Sequence, residues 1–163
     1  MPNVFEKNYI EILTYRIEQE ELSCRLYESM SLWLNDKGYV NAAKAWKKDS
    51  EDEMKHAQWA KEFLLDMGVV PKLSTLQEPP YSFEGLPDII RQTFAHEILV
   101  TEQCNNLAEF AMKNSNHLLY QLAIKYMQEQ QEEMGRAQTL MDKLATFGED
   151  KIAMRLFEAD FAE

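Results

Sequence analysis

Apolar residues recur along this chain at helical spacing, in four long segments and one short one. The first stripe reads Ile10, Leu13, Ile17, Glu20, Cys24, Tyr27, Ser31, Leu34, and the second Ala43, Trp46, Ser50, Glu53, Ala57, Ala60, Leu64. The third is Ile90, Phe94, Glu97, Thr101, Cys104, Ala108, and the fourth Leu119, Leu122, Tyr126, Gln130, Glu133, Ala137, Leu140, Leu144. Steps of three and four residues put each set on one helix face. The five Gly and five Pro fall mostly between these segments, where they end helices. The pattern predicts helices α1 near 4–35, α2 near 39–67, α3 near 86–113, α4 near 117–146 and a short C-terminal α5 near 150–161. No strand is needed, and the expectation is an all-α chain forming one domain over 1–163.

The joints predict topology. Asn35-Asp36-Lys37-Gly38 and Asn114-Ser115-Asn116 are short polar turns, which make α1 antiparallel to α2 and α3 antiparallel to α4. Residues 68–85 differ: Gly68, Pro71 and Pro79-Pro80 make this stretch too long for a hairpin and too Pro-rich for a helix. A helix of roughly 28 residues is about 42 Å long, whereas about 18 extended residues reach about 60 Å. The segment can therefore cross the bundle end to end and set α3 parallel to α2, giving a four-helix bundle with one long crossover.

Each stripe carries an acid where an apolar residue belongs. Glu20, Glu53, Glu97 and the Gln130/Glu133 pair fall near the middle of their helices, and His56 lies one turn beyond Glu53 on nearly the same face. Whichever way the helices run, mid-helix positions meet in one layer. An unpaired buried carboxylate costs several kcal/mol, and neighbouring carboxylates repel. No Lys or Arg stands on the four stripes near that depth, so the expectation is that protein ion pairs do not resolve the layer and bound metal does. Four carboxylates, an imidazole and a carboxamide without thiolate suit two divalent ions of the Fe or Mn kind, with Zn able to compete. Such ions sit about 3.5–4 Å apart in two-metal sites, bridged here by a carboxylate from α2 or α3.

A single Glu on a stripe is more often a solvated edge than a ligand, and Glu53-x-x-His56 or Gln130-x-x-Glu133 alone says little. The coincidence of all of them at one depth carries the metal reading. Tyr27 is either a core tyrosine with its hydroxyl satisfied or a support for the metal site. Trp33, Trp46, Trp59 and Met30, Met127, Met134 and Met141 read as packing or subunit-contact residues. His96 and His117 read as polar-surface or helix-end residues.

Composition narrows the classes. The 163 residues are 45% hydrophobic, enough for one substantial core. Lys and Arg total 17 against 28 Asp and Glu, a net charge of -11, which disfavours nucleic acid and anionic membrane and favours cations as partners. Cys24 and Cys104 form no Cys-x-x-Cys pair and read as reduced core thiols. The N-terminus has no basic and apolar leader, and no stretch approaches the length of a membrane span, so a cytoplasmic protein is expected.

At these residues the sequence resembles bacterial non-haem ferritins over nearly the whole chain. The matching segments are Glu20 to Trp33, Asp52-Glu53-Met54-Lys55-His56, His96-Glu97 and Glu129-Gln130-Gln131-Glu132-Glu133. Ferritin-like proteins are themselves a standard instance of the one-crossover bundle, so that fit is recognition. The resemblance implies an iron-storage protein with ferroxidase activity, oxidising Fe(II) with O2 or peroxide at a di-iron centre. By position it assigns one iron to Glu20, Glu53 and His56, the other to Glu97 and Glu133, with Glu53 bridging, Gln130 close by and Tyr27 as the centre's tyrosine. Asp52, Glu129 and Glu132 fall where a third iron would bind, although the family usually has Glu at position 52. A homo-oligomeric shell of two dozen subunits is also implied, with α5 at its channels. The acidic pair of animal three-fold channels aligns with Tyr120 and Ala123, so that entry route is not supported.

Rivals separate by residue. Bacterioferritins and rubrerythrin-like proteins carry a second Glu-x-x-His on the last long helix, where this chain has Gln130-x-x-Glu133. Met54 stands where bacterioferritin ligates haem, but non-haem ferritins also carry methionine there. Miniferritins place their metal between subunits. Outside the superfamily, the alternative is a non-catalytic helical scaffold whose stripe acids are solvated.

Overall fold

Five helices and no strand make up the computed structural model, which describes residues 8–162. They are α1 Asn8–Asp36, α2 Val40–Asp66, α3 Leu86–Lys113, α4 His117–Phe147 and α5 Lys151–Asp160. The α3 bounds and the start of α4 are those predicted, and the other described ends differ by one residue. Residues 4–7, expected to begin α1, lie outside the described residues.

Local chemistry explains the ends. After α2, the amide of Val69 donates to Leu64 O at 2.8 Å and that of Gly68 to Leu65 O at 3.0 Å, the paired bonds of a left-handed cap. Gly68 supplies the φ of +76° that this cap requires. The α3–α4 turn makes the same pair of bonds, Asn116 N to Ala111 O and Ser115 N to Met112 O, but with a serine at φ +52°. Asn116 then caps α4 by accepting from Leu119 N at 3.1 Å.

α1 packs along α2 and α3 along α4, and the two hairpins meet through α1 against α3 and α2 against α4. Residues 69–83 have no helix, and they do cross the bundle. Val69 packs on one end of the core, Phe83 is buried in the other, and Ser29 Oγ donates to Pro80 O on the way. α5 closes one end. The Glu158 carboxylate accepts from the α2 amides of Asn41 (2.6 Å) and Ala42 (2.9 Å), where a helix N-terminus favours negative charge. Arg155 donates to Gly38 O at 3.1 Å on the neighbouring turn.

The apolar core is in two parts. One joins the start of α1 and α4 to the ends of α2 and α3 through Leu13, Ile17, Leu64, Leu107 and Tyr126. The other joins the opposite halves and α5 through Met30, Trp46, Leu86, Ile90 and Phe157. The predicted stripes face this core, with a correction in α3, where Phe94 and Thr101 are only half-buried. Thr93, Val100 and Leu107 are buried instead, so the inward face of α3 lies one residue to the side of the expected stripe. Trp46 is a packing residue, with its indole nitrogen donating to Thr93 Oγ1 at 3.0 Å.

Relieving the left-handed serine should stabilise the bundle. Ser115→Gly is expected to add about 0.5–1 kcal/mol, raising the thermal midpoint of the metal-free protein by roughly 1–4 °C, measured by calorimetry against the parent chain.

Candidate metal centre

Between the two apolar clusters lies the polar layer that the stripes predict. Glu20, Glu53, His56, Glu97, Gln130 and Glu133 are all buried, none more than 7% exposed. Each acid reaches this depth because its Cα occupies an inward helical position, with apolar neighbours packed above and below it.

Three of the six converge closely. Glu20, Glu53 and His56 each offer a ligand atom within 4.8 Å of the others, and among the described residues no other group of three or more His, Cys, Asp or Glu does so. His56 Nδ1 lies 3.1 Å from Glu53 Oε2 and 3.7 Å from Glu20 Oε2. The imidazole is held from behind: Trp59 packs on its ring at 4.7 Å, and Tyr126 Oη donates to the His56 carbonyl. Glu20 Oε2 is buried with no hydrogen-bond partner. An orphaned carboxylate oxygen beside a second carboxylate and an imidazole fits a divalent cation in both charge and donor type.

Glu97 and Glu133 are held differently. Tyr27 donates its hydroxyl to Glu97 Oε1, and Gln130 Nε2 donates to Glu97 Oε2 at 3.0 Å and to Thr101 Oγ1 at 3.0 Å. Tyr27 is thus both a buried core tyrosine and a direct support of a layer carboxylate. Gln130 supports Glu97 and stands apart from the Glu20/Glu53/His56 group. Glu133 is turned to Arg136, whose Nη2 contacts its Oε1.

The expectation that no basic side chain answers these acids is therefore corrected. Arg16, one turn before Glu20, is 1% exposed, and its Nε lies 3.0 Å from Glu20 Oε1, off the line of a hydrogen bond. Its Nη1 donates to Cys104 Sγ at 3.7 Å. The i,i+4 spacing from Glu20 was the signal available in the sequence. Arg16 and Arg136 answer two of the four carboxylates; among the described residues neither Glu53, which lies beside His56, nor Glu97 pairs with a lysine or arginine.

The consequence is proton retention. Burial pushes the Glu53 carboxyl well above its ordinary value, with Glu20, Glu97 and Glu133 adding repulsion. Burial likewise raises Glu97, against the hydrogen bonds from Tyr27 and Gln130. Burial takes Glu133 to about 8 despite Arg136. One turn before Glu53, Asp49 is raised to about 6 by burial, against Arg136 and Lys48.

His96 is not the surface residue expected. Its Nε2 lies 2.7 Å from Ser23 Oγ and its ring meets Tyr27 edge-on at 5.6 Å, while burial lowers its pKa to about 4. It buttresses the tyrosine that holds Glu97. His117 is exposed at the first position of α4, as expected. The residues expected for a third metal are not gathered. Asp52 is taken by Lys48 (3.0 Å) and Lys55 (2.9 Å), Glu129 Oε1 lies 3.5 Å from His56 Nε2, and Glu132 is exposed on the wall of a cavity. That cavity, about 590 Å³ between α2 and α4, reaches Tyr27, Glu97 and Glu133 and is also walled by Asp49 and Arg136. Met54 is exposed. No helix among the described residues is long and apolar enough to cross a membrane.

A family profile described as a ferritin-like domain matches residues 10–147, a span that contains the whole polar layer. A bacterial non-heme ferritin of Escherichia coli O6:H1 is 31% identical over 139 residues, 85% of this chain and 84% of its own. A probable bacterial non-heme ferritin-like protein of Haemophilus influenzae is 26% identical over 157 residues, 96% of this chain and 95% of its own. Among solved structures, an open-pore ferritin from the hyperthermophilic archaeon Archaeoglobus fulgidus superposes with a TM-score of 0.92 at 27% identity, covering 96% of this chain and 97% of that one. Sequence, bundle and buried acids agree: this chain belongs to the ferritin family.

Proposed function

We propose that this chain is an iron-storage ferritin that oxidises Fe(II) in the polar layer and passes the Fe(III) product to the interior of a homo-oligomeric shell of two dozen copies, in the cytoplasm. The observation that carries the reading is a layer of four buried carboxylates, two of them without a lysine or arginine partner among the described residues, containing the orphaned Glu20 Oε2 next to Glu53 and His56. Fe(II) is substrate here. Glu20, Glu53 and His56 take one ion. Glu97 and Glu133 take the second, with Glu53 shared between them and Gln130 and Tyr27 steadying Glu97. The two ions give up one electron each, and the pair reduces O2 or peroxide.

The protein's part is charge and positioning. Hard oxygen donors and one imidazole suit Fe(II) and favour Fe(III) still more, because anionic ligands gain most from the higher charge. Fe(II) entry displaces the protons that burial retains on Glu53 and Glu133, as for any metal bound by groups that must deprotonate. Asp52, Glu129 and Glu132 lie on the α2 and α4 side, where a third iron would sit once Asp52 is released by Lys48 and Lys55.

Aerobic addition of Fe(II) to the assembled protein should produce a fast rise in ferric absorbance. Glu53→Ala should slow it by at least about 100-fold, the upper end of what losing a mere supporting partner costs. A rise that survives this substitution overturns the reading. A Soret band in the purified protein would instead point to haem at Met54.

The pH dependence of the metal-free protein has a defined sign. Glu133 holds its proton more tightly folded than unfolded, about 8 against about 4.3. Its contribution to stability is therefore present in full below the unfolded value and is lost as pH rises through about 8. Glu133→Gln removes this titration. The thermal midpoint of the variant relative to the parent chain should climb between pH 5 and pH 8.5 (~ values bracketing that window), followed by calorimetry in chelator.

A further inference from the structure

The two arginines in the layer are held in opposite ways. Arg16 is enclosed, its side chain 2% exposed, with Glu20, Cys104 and the ring of Tyr126 around it. It has nowhere else to go. The Arg136 side chain is 50% exposed, reaches Glu133 from one turn further along α4 and stands in the wall of the cavity that opens between α2 and α4. Across that cavity Asp49 projects from α2. Among the described residues its carboxylate accepts no hydrogen bond and joins no ion pair, yet it lies within the electrostatic reach of Arg136. Lys48, Glu97 and Glu132 are the other charged groups on the same walls.

Resting on the reading above, we propose that Arg136 is a displaceable counter-cation for the second metal position: it neutralises Glu133 while that position is empty and swings to Asp49 when a divalent cation arrives. Metal and guanidinium compete for Glu133, because both are cations drawn to one carboxylate, and Arg136, unlike the enclosed Arg16, is half-exposed and able to leave it. Helical geometry leaves the swing open, since a half-exposed arginine has a long flexible stem and no partner but Glu133 among the described residues. Asp49 makes the displaced state less costly by offering a carboxylate that otherwise has none. The first position is not gated, since Arg16 binds only Glu20 Oε1 and leaves Oε2 free for metal. The two positions should therefore fill in order, Glu20/Glu53/His56 first.

The test is anaerobic titration of the assembled protein with Co(II), which does not turn over, followed by calorimetry and by its visible absorption. The relevant signal is the binding of about two equivalents per chain that disappears in Glu53→Ala. In the parent chain the second equivalent should bind more weakly than the first. Arg136→Gln should tighten the second step about five- to tenfold and leave the first within about twofold. Asp49→Asn should weaken the second step, and should do nothing in the Arg136→Gln background. If the two equivalents bind and are lost in Glu53→Ala, but Arg136→Gln leaves the second step unchanged or weaker, the counter-cation role is wrong while the metal centre stands. If Asp49→Asn has the same effect in both backgrounds, Asp49 acts on the metal directly and the swing is wrong. No Co(II) signal sensitive to Glu53→Ala would remove the metal centre itself, and this inference with it.

Discussion

Four carboxylates buried in one layer are the constraint around which the bundle is organised. Each costs several kcal/mol if left charged and alone, whereas a buried large apolar side chain contributes about 1.5–3 kcal/mol. A layer of such residues is tolerable only if much larger apolar regions flank it. The core is divided accordingly, with one apolar cluster at each end and the acids between. The mid-helix placement of Glu20, Glu53, Glu97 and Glu133 follows from the same balance, since an acid nearer an end would remove apolar area from the smaller side. The long crossover completes it by bringing α3 back to the end where α2 began.

Each acid is then compensated differently. Glu20 has an enclosed arginine, burial favours the protonated form of Glu53, Glu97 has a tyrosine and a glutamine as donors, and Glu133 has a half-exposed arginine. Such compensation lowers the cost of burying the layer and still leaves it short of full neutralisation. A fully paired layer would gain less from metal, and an uncompensated one would not stay buried.

The helices, the crossover and the shared depth of the six layer residues were legible because they depend on Cα positions, which periodicity reports directly. What escaped depends on reach and rotation. Arg16 and Arg136 bring charge to the layer from positions beside the stripes, on side chains long enough to bend inward. Counting only stripe residues hid both. In α3 the apolar residues Ile89, Ile90, Phe94, Ile98 and Leu99 allow more than one inward face, and only packing selects the one with Thr93 and Val100. His96, beside Glu97 in sequence, reads as surface until Ser23 and Tyr27 of α1 are seen to enclose it. Asp52 matched a ligand position, but the lysines three and four residues away on its own helix compete for it, a local effect that a positional match does not weigh.

These details give the layer two unlike sides. On the α1–α3 side, Ser23 and Tyr27 enclose His96, Tyr27 holds Glu97, and the buried Arg16 donates to Cys104. On the α2–α4 side lie the cavity, the half-exposed Arg136, the unpartnered Asp49 and Glu129 beside His56. A site that only held metal would be served by rigidity all round. One that takes in a divalent ion, raises its charge and lets it go needs ligands fixed on one side, to set the geometry, and groups free to exchange partners on the other. The uneven distribution of buried contacts around the layer meets both demands in one bundle, and it leaves the α2–α4 side as the one where charge can still move.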